Sequence, residues 1–336
     1  MTRPNLFKFA TSELSQDAFI CWLLSWAAPE CKIDDAGLHQ CAVDFINALF
    51  SKHPENKRPV TIEKVLISKQ DANIDVLCIV NDQFVILIED KTKTINHGNQ
   101  LANYLLTIQQ RSYQPDCIFP IYLKTHDQAS YHDVIERNGY QVFSRVDFIS
   151  VLNRGHGLGI KNDIFQNFRA NLLKLQDSVD SYLQIPVSLN DTDPKWNNQA
   201  WTGFFMRLQQ ELETGLWGKV NNATGGFMGF WWGGQRGKPY LQLEEHKLCF
   251  KIKVDQPEDQ KRLRTYWYTL IKNSAAGTEF RLTKPQRFGL GQYMTVIVAQ
   301  GDYRKTSQDG LIDVQATVHG LKKMQGFLKE LQKLGN

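Results

Sequence analysis

The chain of 336 residues is long enough for two domains that each bury a core. Its 42% hydrophobic and 22% charged residues exclude a disordered or fibrous protein. Six scattered cysteines without a CxxC pair argue against a disulfide framework and a structural zinc site, and favour a reducing cytoplasm. No run of about 18 apolar residues occurs, so we expect no transmembrane helix.

An apolar segment at residues 19–28 is similar in composition to the core of a signal peptide. Glu13 and Asp17 lie just before it, in a region where signal peptides avoid acidic residues. The segment also continues an amphipathic helical pattern. We therefore expect a cytoplasmic protein in which this segment is part of a helix.

The net charge of +4 conceals a difference between the two halves of the chain. Residues 1–194 contain 18 basic and 23 acidic residues, whereas residues 195–336 contain 21 basic and 12 acidic residues. A basic domain is typical of proteins that bind a polyanion such as nucleic acid. An excess of solvated surface lysines explains the same charge equally well.

The first half of the chain predicts helices and strands in a mixed order. Ser12 and Glu13 are typical of a helix N-terminus, and that helix should extend to about Trp26. The order predicts an α/β fold with a mixed sheet flanked by helices. The further elements are helices at 36–52, 98–110 and 130–137, and strands at 60–68, 75–80, 84–89, 117–123 and 140–143.

The second half predicts a separate α+β domain. Residues 154–159 are glycine-rich and predict a loop, a long helix follows at 163–183, and the proline-containing segment 185–194 is typical of a linker. We therefore expect one domain at residues 1–185 and a basic domain at 195–336. The second domain should contain helices at 199–214, 257–273 and 321–334, and strands at 227–232, 240–243, 247–254, 293–299 and 314–318.

Asn81-Asp82-Gln83 is a typical turn sequence between the strands at 75–80 and 84–89, so these strands predict a β-hairpin. Two carboxylates and a lysine lie at its open end. Residues two apart in a strand share a face, so Glu89 and Lys91 should point one way and Asp90 the opposite way. Asp75, on the antiparallel neighbour, can lie across the sheet from them. This arrangement could hold a hard divalent cation with an ammonium group nearby.

The combination of Asp75, the triplet Glu89-Asp90-Lys91 and a following helix that carries Gln100 and Tyr104 resembles the PD-(D/E)XK, or restriction-endonuclease-like, nuclease superfamily. The Gln-xxx-Tyr spacing is similar to that of its RecB-like branch. The resemblance covers roughly residues 12–152. The acidic middle residue, Asp90, departs from the pattern, because an apolar residue suits a strand that is buried on both faces.

The resemblance implies roles for the catalytic triplet and its neighbours. Asp75 and Glu89 would bind Mg²⁺, or Mn²⁺ in its place, and a main-chain carbonyl near Asp90 would complete the protein's share of the coordination shell. Lys91 would orient or activate the attacking water and offset negative charge on the phosphate.

Three helical residues are further candidates. Relatives often place a helix glutamate beside the metal ions, so Glu13 could complete a second cation site; an interaction with the helix dipole is an equally good explanation. Gln100 and Tyr104 share one face of their helix, where they would bind a nucleotide phosphate or brace Lys91.

Aromatic residues of the second domain have two interpretations. Phe227, Phe230, Trp231 and Trp232 could stack on nucleic-acid bases, but such a stripe more often forms the core of a sheet. The core is the favoured interpretation.

We therefore expect a cytoplasmic, magnesium-dependent nuclease that cuts DNA in restriction, repair or defence against mobile DNA, with a second domain that binds the substrate or a partner. Two alternatives stay open: a non-catalytic module that binds nucleic acid or protein on the same fold, and an RNA-directed nuclease. The sequence also leaves a homo-oligomer open.

Overall fold

The computed structural model describes residues 4–94, 99–187, 195–222, 225–235 and 237–334. The chain divides into two compact units at residues 1–176 and 177–336, within a helix at Asp163–Asp180. No helix among the described residues is long and apolar enough to cross a membrane. Residue 98, where one predicted helix begins, and residues 188–194 of the predicted linker lie outside the described residues.

The first unit is built around one mixed sheet, as the sequence predicts. Its strands are in the order β1-β2-β3-β4-β5, with antiparallel pairing from β1 to β3 and parallel pairing from β3 to β5. Its elements are α1 (Glu13–Ser25), α2 (Ala36–Phe50), β1 (Val65–Asp71), β2 (Ile74–Val80), β3 (Phe84–Lys91), α3 (Gln100–Gln109), β4 (Ile118–Lys124), α4 (His132–Arg137), β5 (Gln141–Ser144), α5 (Arg145–Gly157) and the part of α6 (Asp163–Asp180) up to residue 176.

Helices cover both faces of this sheet. Ile86 and Ile88 of β3 join a core with residues of α1, α2 and α5, whereas Val85 and Leu87 pack with residues of α3 and α4. Every residue of β3 and β4 is buried. This double burial explains why both strands are almost continuously apolar in sequence.

Two tight turns set the register of the antiparallel strands. Asn81 and Asp82, predicted as a turn, both have positive φ angles, as do Ala72 and Asn73 between β1 and β2. Two consecutive positive φ angles are typical of the type I′ turn, whose twist suits a hairpin. The turn at Asn81 and Asp82 places residues 76 and 88 opposite each other. It thereby brings the start of β2 beside the end of β3.

The predicted strand at residues 60–68 is wrong at its start. Val60 is fully exposed, and β1 begins at Val65, which pairs with Val80. The strand continues to Asp71, opposite Ile74. The pairing with β2 therefore decides the extent of β1, and local β propensity does not.

The predicted loop at residues 154–159 is also wrong, because residues up to Gly157 belong to α5. A capping box starts this helix: Ser144 Oγ accepts a hydrogen bond from Asp147 N, and the carboxylate of Asp147 accepts one from Ser144 N. A Cβ atom at Gly155 would lie 2.5 Å from Cys41 Sγ of α2. The glycine therefore permits close packing of two helices.

The second unit has its own antiparallel sheet, in the order β10-β11-β9-β8-β7-β6, and a two-stranded sheet of β12 and β13. The predicted second sheet is confirmed. The elements are α7 (Asn198–Leu212), β6 (Leu216–Val220), β7 (Phe227–Trp232), β8 (Tyr240–Glu244), β9 (Lys247–Lys253), α8 (Pro257–Ala275), β10 (Leu282–Thr283), β11 (Tyr293–Ala299), β12 (Lys305–Thr306), β13 (Ile312–Asp313) and α9 (Val314–Leu334).

The predicted strand at residues 314–318 is wrong, because these residues begin α9. Asp313 Oδ1 accepts a hydrogen bond from Ala316 N, the interaction of a helix N-cap. Val318, Leu321 and Leu328 are buried at helical spacing. The β-branched residues of this short run favoured a strand. The cap at Asp313 and the packing of the buried residues favour a helix instead.

The substitution Gly155→Ala should lower the free energy of unfolding of the first unit by about 1–3 kcal/mol, because its Cβ atom overlaps α2. Gly157→Ala is the matched control in the same helix, since a Cβ atom there meets nothing within 4 Å. Urea unfolding monitored by hydrogen exchange of α2 and α5 would measure both changes. Equal effects of the two substitutions would contradict the packing argument.

Candidate active site

Asp75, Glu89 and Lys91 meet on one face of the first sheet. Lys91 Nζ lies 2.5 Å from Glu89 Oε1 and 3.6 Å from Asp75 Oδ2. The side chain of Asp90 points to the opposite face, where it contacts Gln16. The faces predicted from strand periodicity are therefore those of the structure.

The Asp75 carboxylate is fixed by the backbone of the neighbouring strand. The last backbone pair between β2 and β3 joins Val76 and Ile88, and beyond it Asp90 N donates a hydrogen bond to Asp75 Oδ2 at 2.9 Å. The side chain of Asp75 keeps 23% of its surface exposed. The carboxylate is thus held in place and still accessible to a ligand.

Glu89 is a fully buried carboxylate whose charge is incompletely balanced. Its Oε2 atom has no hydrogen-bond partner among the described residues. Burial, and then the negative charge of Asp75, raises the pKa of Glu89 to about 7. A buried carboxylate with an unpaired oxygen is unfavourable unless it meets a cation. The donor set of Asp75 and Glu89 therefore fits a hard divalent cation.

Lys91 provides the positive charge closest to these carboxylates. Burial disfavours its charged form, but the contacts with Glu89 and Asp75 outweigh burial and raise the pKa of Lys91 above its usual value. Its Nζ atom also donates to the carbonyl oxygen of Asp90 at 3.0 Å. That carbonyl, expected to help coordinate a cation, accepts a hydrogen bond from the lysine.

Glu13 connects α1 to the segment that follows β3. Its Oε1 atom accepts hydrogen bonds from Thr92 N at 2.9 Å and from the hydroxyl groups of Thr92 and Thr94. Burial raises the pKa of Glu13, but these hydrogen bonds outweigh it and the pKa falls below its usual value. No three His, Cys, Asp or Glu side chains in the described part of the chain form a group that could hold a metal ion. A metal-binding role of Glu13 therefore stays a prediction.

Gln100 and Tyr104 lie one turn apart on α3, as their spacing predicts. Gln100 Nε2 donates a hydrogen bond to Tyr104 Oη at 2.8 Å, and Tyr104 packs against the core beneath α3. Within the residues that the structure describes, neither side chain forms a hydrogen bond with Lys91. Their contribution to substrate binding stays a prediction.

Asp90, the departure from the expected triplet, is part of a buried polar network on the other face of β3. Gln16 Nε2 donates to Asp90 Oδ1 at 2.6 Å, and Gln16 Oε1 accepts from Thr125 Oγ1 at 2.9 Å. Burial and the nearby carboxylate of Asp17 raise the pKa of Asp90 well above its usual value. The hydrogen bond from Gln16 thereby attaches α1 to the sheet through the side chain of Asp90.

The sequence analysis did not identify Gln16 as part of this region, and it gave no role to Asp17, which lies one turn after Glu13 on the same face of α1. Both are buried, and burial followed by the charge of Asp75 raises the pKa of Asp17 to about 6. Glu13, Gln16 and Asp17 occupy positions i, i+3 and i+4 of a helix whose other residues are apolar apart from two serines. That polar stripe was the signal available in the sequence.

Lys124 is a second lysine that the sequence analysis did not identify. It lies opposite Lys91 in the parallel pairing of β3 and β4 and is 3% exposed. Its Nζ atom donates to the carbonyl oxygen of Thr94 at 2.5 Å, and burial lowers the pKa of Lys124 to about 8. Its position directly after a predicted apolar strand was the only sequence signal.

A family model of the PD-(D/E)XK nuclease superfamily matches residues 4–181. Because this match spans more than half of the chain and includes Asp75, Glu89 and Lys91, the chain belongs to this superfamily. Comparison with curated proteins and with solved structures gave no match. The RecB-like branch, expected from Gln100 and Tyr104, stays a prediction.

The raised pKa of Glu89 predicts that cation binding depends on pH. Below pH 7 the carboxylate carries a proton that must leave before a cation binds, so the affinity for Mn²⁺ should fall about tenfold from pH 8 to pH 6. Isothermal titration calorimetry of the protein with Mn²⁺ would measure this change. Glu89→Gln should weaken binding at both pH values, whereas the exposed control Glu55→Gln should not. Equal binding by Glu89→Gln and the wild type would exclude Glu89 as a ligand.

Proposed function

We propose that the first unit hydrolyses phosphodiester bonds of DNA with Mg²⁺ held by Asp75 and Glu89. The observation that carries the proposal is the convergence of these carboxylates with Lys91 on one face of the sheet, in a chain that belongs to a nuclease superfamily. The unpaired Oε2 atom of Glu89 supports a cation at this position.

In this proposal Asp75 and Glu89 bind the metal ion, and Lys91 compensates negative charge. A bound Mg²⁺ ion supplies a charge that acidifies water and stabilises the phosphate in the transition state. Asp75, which is partly exposed, presents its carboxylate towards the substrate side. Glu89 holds its carboxylate in a buried position where water cannot screen its charge.

In this proposal Lys91 acts as a positively charged hydrogen-bond donor. Because its pKa is raised, the ammonium group keeps its proton at neutral pH and cannot abstract one from water. It orients the attacking water and offsets negative charge on the phosphate. Free cysteines at all six positions support a cytoplasmic site of action, where a role in restriction, repair or defence against mobile DNA is consistent with the superfamily.

One observation favours a second candidate function, a non-catalytic module that binds nucleic acid or protein. Glu13 accepts hydrogen bonds from Thr92 and Thr94, and the carbonyl of Asp90 accepts one from Lys91. Two of the expected cation ligands therefore have other partners. The two functions differ in whether the purified protein cleaves nucleic acid in the presence of Mg²⁺ or Mn²⁺.

Removal of charge at the site should abolish cleavage. We expect Asp75→Asn and Lys91→Gln each to lower the rate of Mg²⁺-dependent plasmid cleavage by about a hundredfold or more, because each removes charge that stabilises the transition state. Chelation by EDTA should have the same effect. The exposed turn variant Asp82→Asn is the matched control.

Gel assays on plasmid DNA and on RNA of matched sequence would measure the rates, with circular dichroism to verify folding. Cleavage that survives both site substitutions would contradict the assignment. A folded wild-type protein that binds Mn²⁺ but cleaves neither substrate would favour the non-catalytic module.

A further inference from the structure

The main sheet of the second unit has two different faces. On one face, Phe230 packs against Phe205 of α7 and Phe250 packs against Phe327 of α9. The other face borders an open cavity of about 1440 Å³. Successive residues of β7 divide between them, because Trp231 lines the cavity while Phe230 is fully buried in the core.

This division refines the interpretation of the aromatic stripe. Phe230 and Trp232 are 0% and 3% exposed, in agreement with their prediction as sheet core. Phe227 and Trp231 are only half-buried and line the cavity. The core interpretation therefore holds for one face of the strand, and base stacking stays a prediction for the other.

Rings and polar groups alternate across the strands of this face. Cross-strand pairing places Trp231 opposite Gln242, Tyr240 opposite Lys251, and Tyr293 opposite Lys253. All six side chains line the cavity, and we call these six residues the aromatic face. The 59% exposed ring of Tyr293 lies 5.8 Å from Lys253 Nζ. Each ring thus has an amide or an ammonium group beside it.

The exposed lysine of the aromatic face and the basic region around it suit an anionic ligand. Lys251 is balanced by Glu244 at 2.7 Å, whereas Lys253 keeps half of its side chain exposed and lies 3.5 Å from Asp255. Lys238, whose Nζ atom donates to the carbonyl oxygen of Gln332, also lines the cavity, together with two acidic residues, Asp255 and Asp259. These lysines belong to a region, residues 195–336, in which basic residues outnumber acidic ones by 21 to 12. A peptide with an apolar surface would not use this charge.

We propose that the aromatic face binds single-stranded nucleic acid. Unpaired bases stack on Trp231, Tyr240 and Tyr293, and Lys253 lies near the phosphates. A duplex hides the faces of its bases, so it could use the lysines but not the rings. The inference rests on the proposed function for its ligand class, but it concerns binding by the second unit and not cleavage.

The test measures binding by the full chain in EDTA, where metal-dependent cleavage is absent. Fluorescence anisotropy with labelled single-stranded oligonucleotides should give affinity at least about tenfold higher than with a duplex of the same sequence. Trp231→Ala and Tyr293→Ala should each weaken single-strand binding by about tenfold, because each removes a stacking partner. Trp231→Phe should restore most of the affinity, since the phenyl ring still stacks.

Controls separate the aromatic face from the rest of the unit. Tyr266 is an exposed tyrosine of α8 outside the cavity lining, and Tyr266→Ala should leave binding unchanged. Lys253→Gln should reduce the salt dependence of binding, whereas Lys329→Gln, an exposed lysine of α9, should not.

Binding that Trp231→Ala and Tyr293→Ala leave unchanged, or equal affinity for single strand and duplex, would overturn the inference even if the wild type cleaves plasmid DNA. Conversely, single-strand binding that depends on Trp231 would stand if the wild type proved unable to cleave. If the chain binds no nucleic acid at all, the inference is wrong, and capture of a protein partner by the same face would explain the cavity.

Discussion

A buried carboxylate beside a lysine at the end of β3 is the constraint on which the candidate site depends. The helices on both sides of the sheet exclude water from Glu89 and Lys91. Their 2.5 Å contact compensates only part of the free energy that is lost when the two charged groups leave water. The pKa of about 7 for Glu89 reflects this incomplete compensation. A fold normally avoids such a charge, so its retention in a well-packed core is typical of a functional site.

Helix α1 fixes the strand that carries this charge. Gln16 binds Asp90 on one face of β3, and Glu13 binds the backbone of Thr92 just beyond the strand. The acidic middle residue of the triplet is thereby explained: it exchanges apolar packing for a hydrogen bond that attaches the helix. Lys124, on the parallel neighbour, adds a second ammonium group beside Lys91 whose burial shifts its pKa towards neutrality.

Predictions from the sequence were correct where the periodicity of a strand or the residues of a turn are enough to determine the geometry. The period of two along a strand predicted that Glu89 and Lys91 share a face, and turn chemistry at Asn81-Asp82 predicted the hairpin that brings Asp75 to them. The patterns failed at residues 154–159 and 314–318, where glycine content and β-branching favour the wrong element. There, close approach to Cys41 and capping by Asp313 decide the structure, and neither partner is visible in a local window.

The sequence by itself determined the mixed α/β class, the superfamily pattern and the face of each acidic residue, because these follow from spacing along the chain. Only the tertiary structure decided which groups lose water and which partners they gain. It gave Glu13 hydrogen-bond partners in the segment after β3, buried Asp90 in a way that raises its pKa, and divided the aromatic stripe of β7 between a core and an open face. Burial and pairing are properties of the folded surroundings, so no residue type or spacing specifies them in advance.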